Sequence, residues 1–250
     1  MAPPPGVFVE PDADRLARAV AEELVARLAA AQAAYGTASV VLTGGGVGIA
    51  VLEQVAAVTG DRVDWTAVDV WWGDERFVPA DDDQRNEKAA RRALLDVVNV
   101  PQDRVHPMPP SDGLFAEPED AAAWYAGELA SAAPPGRDLP RFDVLLLGIG
   151  PEGHTASIFP GTPAVRDERP VFAVRDCPKP PPTRVSLGFT AINSADEVWL
   201  AVAGAEKAPA VAQALAGADP TEIPAAGVRG TRATRWWLDR AAAALLPSSA

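Results

Sequence analysis

The chain has 250 residues, 48% hydrophobic and 22% charged, enough to bury a full core without disulfides or structural metal and too apolar for a disordered chain. Lys and Arg number 22 against 34 Asp and Glu, a net charge of −12. That balance speaks against nucleic acid or an anionic membrane surface as a partner, since both need clustered cations, yet a small anion can still bind in a locally positive pocket.

After a proline-rich start, Leu16, Val20, Leu24 and Leu28 recur every fourth residue and predict a helix capped by Asp12 or Asp14. Ser39-Val40-Val41-Leu42 predicts a short buried strand, broken at Gly44-Gly45-Gly46. A second helix follows through Ile49, Leu52, Val55 and Val58. Residues 68–72 are strand-like and stop at Gly73. A polar-fronted helix is expected over 84–98, ending before Pro101. Another is expected over 117–131, with Pro118 near its start, where a missing N–H costs nothing. The strongest strand is 142–147, running into Gly148. Further strands are expected at 171–174, 184–189 and 197–202, and helices at 206–215 and 235–246. Strands alternating with helices, several as continuous apolar runs, predict an α/β fold with a mainly parallel sheet covered on both faces. No repeat period and no long linker divides the chain, so 1–250 is expected to form one domain, with stiff proline loops at 107–110 and 178–182.

Cys177 has no partner for an internal disulfide, which fits a reducing compartment, and with no base at short spacing it is expected to be a small buried hydrophobe. The opening residues lack a basic stretch followed by an apolar run, and no stretch approaches the ~18 apolar residues of a membrane span. The expected location is cytoplasmic.

In sheets of this kind, ligands bind beyond the carboxyl ends of the strands, and three strand ends here carry unusual residues. At 43–48, Gly44, Gly45 and Gly46 either make a plain tight turn or let backbone N–H groups close on an anion or a sugar ring. Ile49 stands where the dinucleotide fingerprint needs a glycine, and no Lys-Ser/Thr follows, so neither nucleotide motif is met. At 72–79, the adjacent charges Asp74, Glu75 and Arg76 end an aromatic run and are costly there unless they reach solvent or a ligand. A functional reading gives Arg76 an anion or oxyanion role, held by Asp74. At 147–157, Gly148, Gly150 and Gly153 do match the dinucleotide spacing after a strand, but Pro160-Gly161 arrives too soon for the helix which that motif requires.

What remains at that third end is His154 beside Glu152 in a glycine-rich loop. Imidazole titrates near neutrality, so its neutral form can take a proton from water. His106 has no such company and is expected to be structural. Two isolated histidines and a lone cysteine do not suggest a zinc site, and no G-x-S-x-G is present. Lys207 opens a helix, where it opposes the dipole; a phosphate bound there would explain it, because helix end and ammonium then act on the same anion. Arg184, opening a strand, is a second candidate for that anion.

These residues resemble the glucosamine-6-phosphate isomerase/6-phosphogluconolactonase family, and within it the lactonases. The resemblance runs in order through 44–46, 72–79, Asp81-Asp82-Asp83 with Asn86, 148–161, Arg184, 204–208 and Trp237-Leu238-Asp239. Two departures stand out: Glu152 where the family usually has Asp, and Val47-Gly48-Ile49 where Ser-Thr-Pro or similar is usual. The resemblance implies a modified Rossmann-like, sugar-phosphate isomerase-like α/β/α fold of three layers. It implies hydrolysis of 6-phospho-D-glucono-1,5-lactone with no metal and no cofactor. His154 would activate the water, with Glu152 orienting the imidazole; Arg76, with Asp74, would steady the oxyanion. Lys207 and Arg184 would clamp the phosphate, and Gly44, Gly45 and Gly46 would pack on the sugar. The expected partner is a small phosphorylated sugar lactone, bound by a monomer or weak homodimer. An aminosugar-phosphate isomerase or deaminase shares the fold, but resembles a pattern with Asp-Glu-Tyr at 74–76 and a Glu after the histidine segment, where 157–161 supply none. A non-catalytic sugar-phosphate sensor would carry a DNA-binding helix-turn-helix, which the acidic N-terminal helix does not offer.

Overall fold

The computed structural model describes residues 4–247, so both extremes of the expected 1–250 domain lie outside the described residues. β1 (Gly6–Glu10) leads into α1 (Ala13–Tyr35). Asp12 caps α1 by accepting from Arg15 N at 2.8 Å, and Gly36 ends it in the left-handed conformation. The predicted stripe of Leu16, Val20, Leu24 and Leu28 is fully buried; each such side chain contributes roughly 1.5–3 kcal/mol over exposure. β2 (Ala38–Leu42) and α2 (Gly45–Val58) follow, then β3 (Val68–Trp72) and β4 (Asp74–Arg76). The helix expected over 84–98 is composite. α3 (Asn86–Ala90) passes through a π-helical turn, Arg91–Leu95, into α4 (Asp96–Val98). The remaining elements are α5 (Pro118–Ser131), β5 (Val144–Leu147), β6 (Val171–Val174), β7 (Arg184–Leu187), α6 (Phe189–Ile192), β8 (Glu197–Val202), α7 (Ala208–Leu215) and β9 (Ala233–Asp239).

Six strands form a parallel sheet in the order β1-β9-β8-β5-β2-β3, and β4-β7-β6 form a small antiparallel sheet. Successive residues of the parallel strands turn to opposite faces, as the pleat requires. Val40, Leu42, Val144 and Leu146 pack with α1 and α2, whereas Val41, Leu145 and Leu147 pack with α5, α7 and the small sheet. The result is the expected three-layer α/β/α arrangement. Gly73 joins the two sheets: its N–H donates to Leu42 O at 2.9 Å and its carbonyl accepts from Leu187 N at 2.9 Å.

Three readings of the sequence are corrected. Residues 235–246 are not a helix: 233–239 form β9, between β1 and β8, with Trp236 and Leu238 buried on one face and Trp237 on the other. A period of two decides here, and the alanine run at 241–244 follows the strand as turns. Residues 74–76 are a strand of the second sheet, and Glu75 reaches neither solvent nor the cleft but is buried against protein amides. The proline-rich start contains β1, whose Phe8 stacks on Trp237 at 4.4 Å between ring centroids.

Candidate active site

In sequence the chain moves from β2 to β3 on one side and later builds β5, β8 and β9 on the other, where β9 pairs with the earlier β1. That reversal between β2 and β5 opens a crevice at the carboxyl ends of the strands, the place where such sheets bind ligands. A cleft of about 190 Å³ lies there, lined by residues that follow β2 (Gly44, Gly45), β3 (Asp74, Arg76), β5 (Gly150, His154) and β8 (Lys207). Arg184 and Lys179 line it as well.

The loop after β5 is folded on its own backbone. Gly150 N donates to His154 O at 2.9 Å, Gly153 N donates to Gly150 O at 2.9 Å, and Thr155 Oγ1 donates to Gly148 O at 3.0 Å. Only glycine fits at 150, because a Cβ there would stand 1.9 Å from His154 Nδ1. The His154 ring stacks on Phe159, with centroids 4.4 Å apart, and keeps 17% of its side chain accessible. His154 Nδ1 lies 2.9 Å from Glu152 Oε1. An ionised carboxylate can only accept, so Nδ1 carries the hydrogen and the neutral ring keeps its lone pair on Nε2. Burial lowers the pKa of His154 below the ordinary imidazole value, against the pull of Glu152. Burial pushes Glu152 upward, but its own backbone N–H, the Lys179 ammonium and His154 outweigh that and leave it below the usual carboxylate range.

The charged run at 74–76 is arranged differently from the expectation. Asp74 does not hold Arg76: its Oδ2 accepts from Ser157 Oγ at 2.7 Å and faces Arg184 Nη1 at 3.8 Å. Arg76 instead donates from Nη1 to Gln84 O, and its backbone N–H donates to Glu75 Oε1 at 2.8 Å. Glu75 points away from the cleft into the protein, accepting from the N–H groups of Asn86 at 2.7 Å and Glu87 at 2.8 Å. Burial raises its pKa, opposed by Arg85 and these amides. Asn86 pins β4 beneath the glycine loop: its Nδ2 donates to Asp74 O at 2.9 Å, and a Cβ on Gly44 would meet its Oδ1 at 1.9 Å. Close approach to Asn86, rather than a tight turn alone, is what demands glycine at 44.

Gly44 is the N-cap of α2 and offers no side-chain acceptor, so the first amides of a 14-residue helix end at the cleft unpaired by a cap. Gly45 lines the cleft too, whereas Gly46 lies in an adjoining recess of about 110 Å³ that also touches Lys207. Lys207 caps α7 with its backbone, and its Nζ stands 3.9 Å from the exposed Glu206. Arg184 is 5% exposed and donates to the carbonyls of Lys179 at 3.2 Å, Pro180 at 3.2 Å and Pro181 at 3.1 Å. Its Nη1 is the part that faces Asp74 and the cleft. Lys179 was not singled out from the sequence, although it is one of three lysines and sits in the stiff proline loop. Its Nζ lies 2.9 Å from Glu152 Oε1 and 3.0 Å from Oε2.

His106 stands apart from this cleft, stacked on Trp71 at 3.8 Å and 3.5 Å from Asp69. Cys177 is buried, as expected. Among the described residues no three His, Cys, Asp or Glu side chains gather as metal ligands, and no helix is long and apolar enough to cross a membrane.

A family profile described as glucosamine-6-phosphate isomerases/6-phosphogluconolactonase matches residues 11–237. The chain is 54% identical over 244 residues to a 6-phosphogluconolactonase of Mycobacterium tuberculosis, covering 97% of this chain and 98% of the relative. It is 50% identical over 254 residues to a 6-phosphogluconolactonase of Streptomyces coelicolor, covering 100% and 97%. Among solved structures, the 6-phosphogluconolactonase of Trypanosoma brucei superposes with a TM-score of 0.82 at 30% identity, covering 97% of this chain and 99% of that one.

Proposed function

Since the chain belongs to the glucosamine-6-phosphate isomerase/6-phosphogluconolactonase family, we propose that it is a lactonase that hydrolyses 6-phospho-D-glucono-1,5-lactone to 6-phosphogluconate in the oxidative pentose phosphate pathway. The observation that carries this reading is the placement of His154, held by Glu152 at 2.9 Å, in the same cleft as Lys207 and the uncapped start of α2. That gives one cleft both a candidate base and a candidate anion site.

The phosphate sits against Lys207 and the first amides of α2, where ammonium and helix dipole act together. Arg184 adds its Nη1, the rest of its guanidinium being occupied by loop carbonyls. Neutral His154 takes a proton at Nε2 from a water, which attacks C1 of the lactone. Arg76 and the N–H groups of the 148–156 loop stabilise the oxyanion, a contribution of the order of ~3–4 kcal/mol where one such donor has been removed elsewhere. The C1–O bond then breaks, and His154 returns its proton to the departing ring oxygen. The products are the carboxylic acid and the freed hydroxyl, so no metal ion or cofactor is needed. The enzyme works in the cytoplasm, in keeping with a lone buried Cys177, as a monomer or weak homodimer.

Replacing His154 by Ala tests this. In a lactonase assay on freshly generated substrate, corrected for spontaneous opening with an enzyme-free control, turnover should fall by roughly 10²–10⁴-fold, the range for a positioned general base. Undiminished turnover would remove His154 from the mechanism.

A further inference from the structure

We propose that Lys179 is a positioning residue of this reaction, whose ammonium locks the Glu152 carboxylate in the orientation that keeps the Nε2 lone pair of His154 aimed into the cleft. The inference rests on the hydrolytic role of His154 proposed above. Lys179 Nζ spans both carboxylate oxygens, at 2.9 and 3.0 Å, and Oε1 is the same atom that accepts from His154 Nδ1. A Glu side chain left alone has several rotamers and can turn to water. With both oxygens engaged by one ammonium, the rotamer that meets His154 is selected.

The support for Lys179 is itself built into the fold. Arg184 is buried on β7, and three of its donor contacts go to the successive carbonyls of Lys179, Pro180 and Pro181. Cys177 N closes the base of the same loop on Pro182 O at 2.9 Å. A buried guanidinium directed at one loop fixes the backbone from which the Lys179 side chain reaches Glu152. Arg184 therefore carries a second duty beside its Nη1 facing the cleft: it braces Lys179.

The pair also governs the charge around the imidazole. Glu152 and Asp74 favour protonated His154, and Lys179 disfavours it; Arg184, Arg76 and Lys207 are the other charged groups lining the cleft. Removing the Lys179 ammonium takes away a charge that opposes protonation, and Glu152, no longer locked, is then held beside the ring chiefly when the ring is protonated, so the imidazole holds its proton to higher pH and less of it is available as a base near neutrality.

The test uses the full-length protein and its two histidines, His106 and His154. NMR titration of the imidazole signals needs no substrate, and His106, which lies outside the cleft against Trp71 and Asp69, serves as an internal control for correct folding. In K179M the His154 midpoint should move to higher pH while His106 stays, and K179R should restore it. In the lactonase assay K179M should lower kcat severalfold near pH 6 and much less near pH 8.5, with KM little changed. An unmoved His154 titration overturns the proposal, as does a raised KM with intact kcat, which would make Lys179 a substrate contact. Absence of lactonase activity in the unmodified protein would instead defeat the proposed function, leaving the titration to report on the Lys179–Glu152–His154 coupling by itself.

Discussion

The proposed mechanism turns on the imidazole of His154, whose environment implies a pH dependence. The reactive form is neutral, and burial lowers its pKa below the ordinary 6.5. The sign follows directly: the base stays available as pH falls past 6.5 and is lost only on passing through the depressed value. The acid limb of kcat/KM, which reports the free enzyme, should therefore have its midpoint below 6.5; a midpoint at or above it would show that Glu152 outweighs burial. That His154 and Lys207 line one cleft, with Glu152 against the imidazole, was legible in the sequence because each sits within a few residues of a strand's end. Lys179 was not legible, since it meets Glu152 across 27 residues through a loop whose course is set by Arg184. The partner of Asp74 was equally hidden: Ser157 lies 83 residues on, so adjacency in sequence suggested Arg76 instead.

At the scale of elements, apolar runs flanked by glycine were sufficient to find β2, β3 and β5, and a four-residue stripe sufficed for α1. β9 was mistaken for a helix because the alanines after Asp239 carry strong helix propensity, while the tryptophans at 236 and 237 face opposite sides of a sheet. The two edges of the parallel sheet are treated differently. β1 leaves Val7, Phe8 and Val9 partly exposed. β3 is sealed: His106 N donates to Val70 O at 2.9 Å, and the buried Tyr125 hydroxyl accepts from Trp72 N and donates to His106 O, both at 3.1 Å. Changing Tyr125 to Phe keeps the ring and strands both backbone groups. Stability measured by urea unfolding should drop by about 1–3 kcal/mol, the cost of leaving buried polar groups unpaired. No measurable change would mean that the edge is not sealed by this hydroxyl.

For the whole molecule, one apolar cluster takes in residues of both sheets, Val41 and Leu145 with Phe172 and Val185, and we propose that the chain folds as one unit. The alternation of strand and helix patterns correctly gave the α/β class but not the second sheet, whose pairing of β4 with β7 depends on a passage from one sheet to the other at Gly73 that short apolar runs do not encode. A chain of net charge −12 concentrates Arg76, Lys179, Arg184 and Lys207 around a single cleft, a local field suited to an anionic ligand on an acidic protein. In the proposed mechanism the work in that cleft is divided between a base at 154 and an anchor at 207. Calorimetric titration of 6-phosphogluconate into H154A and K207M, beside the unmodified protein, tests that division most directly. H154A should bind within a small factor of the unmodified protein, while K207M should bind about ten- to a hundredfold more weakly, the equivalent of a charge-assisted hydrogen bond. Equal affinity in K207M, or a loss confined to H154A, would contradict it.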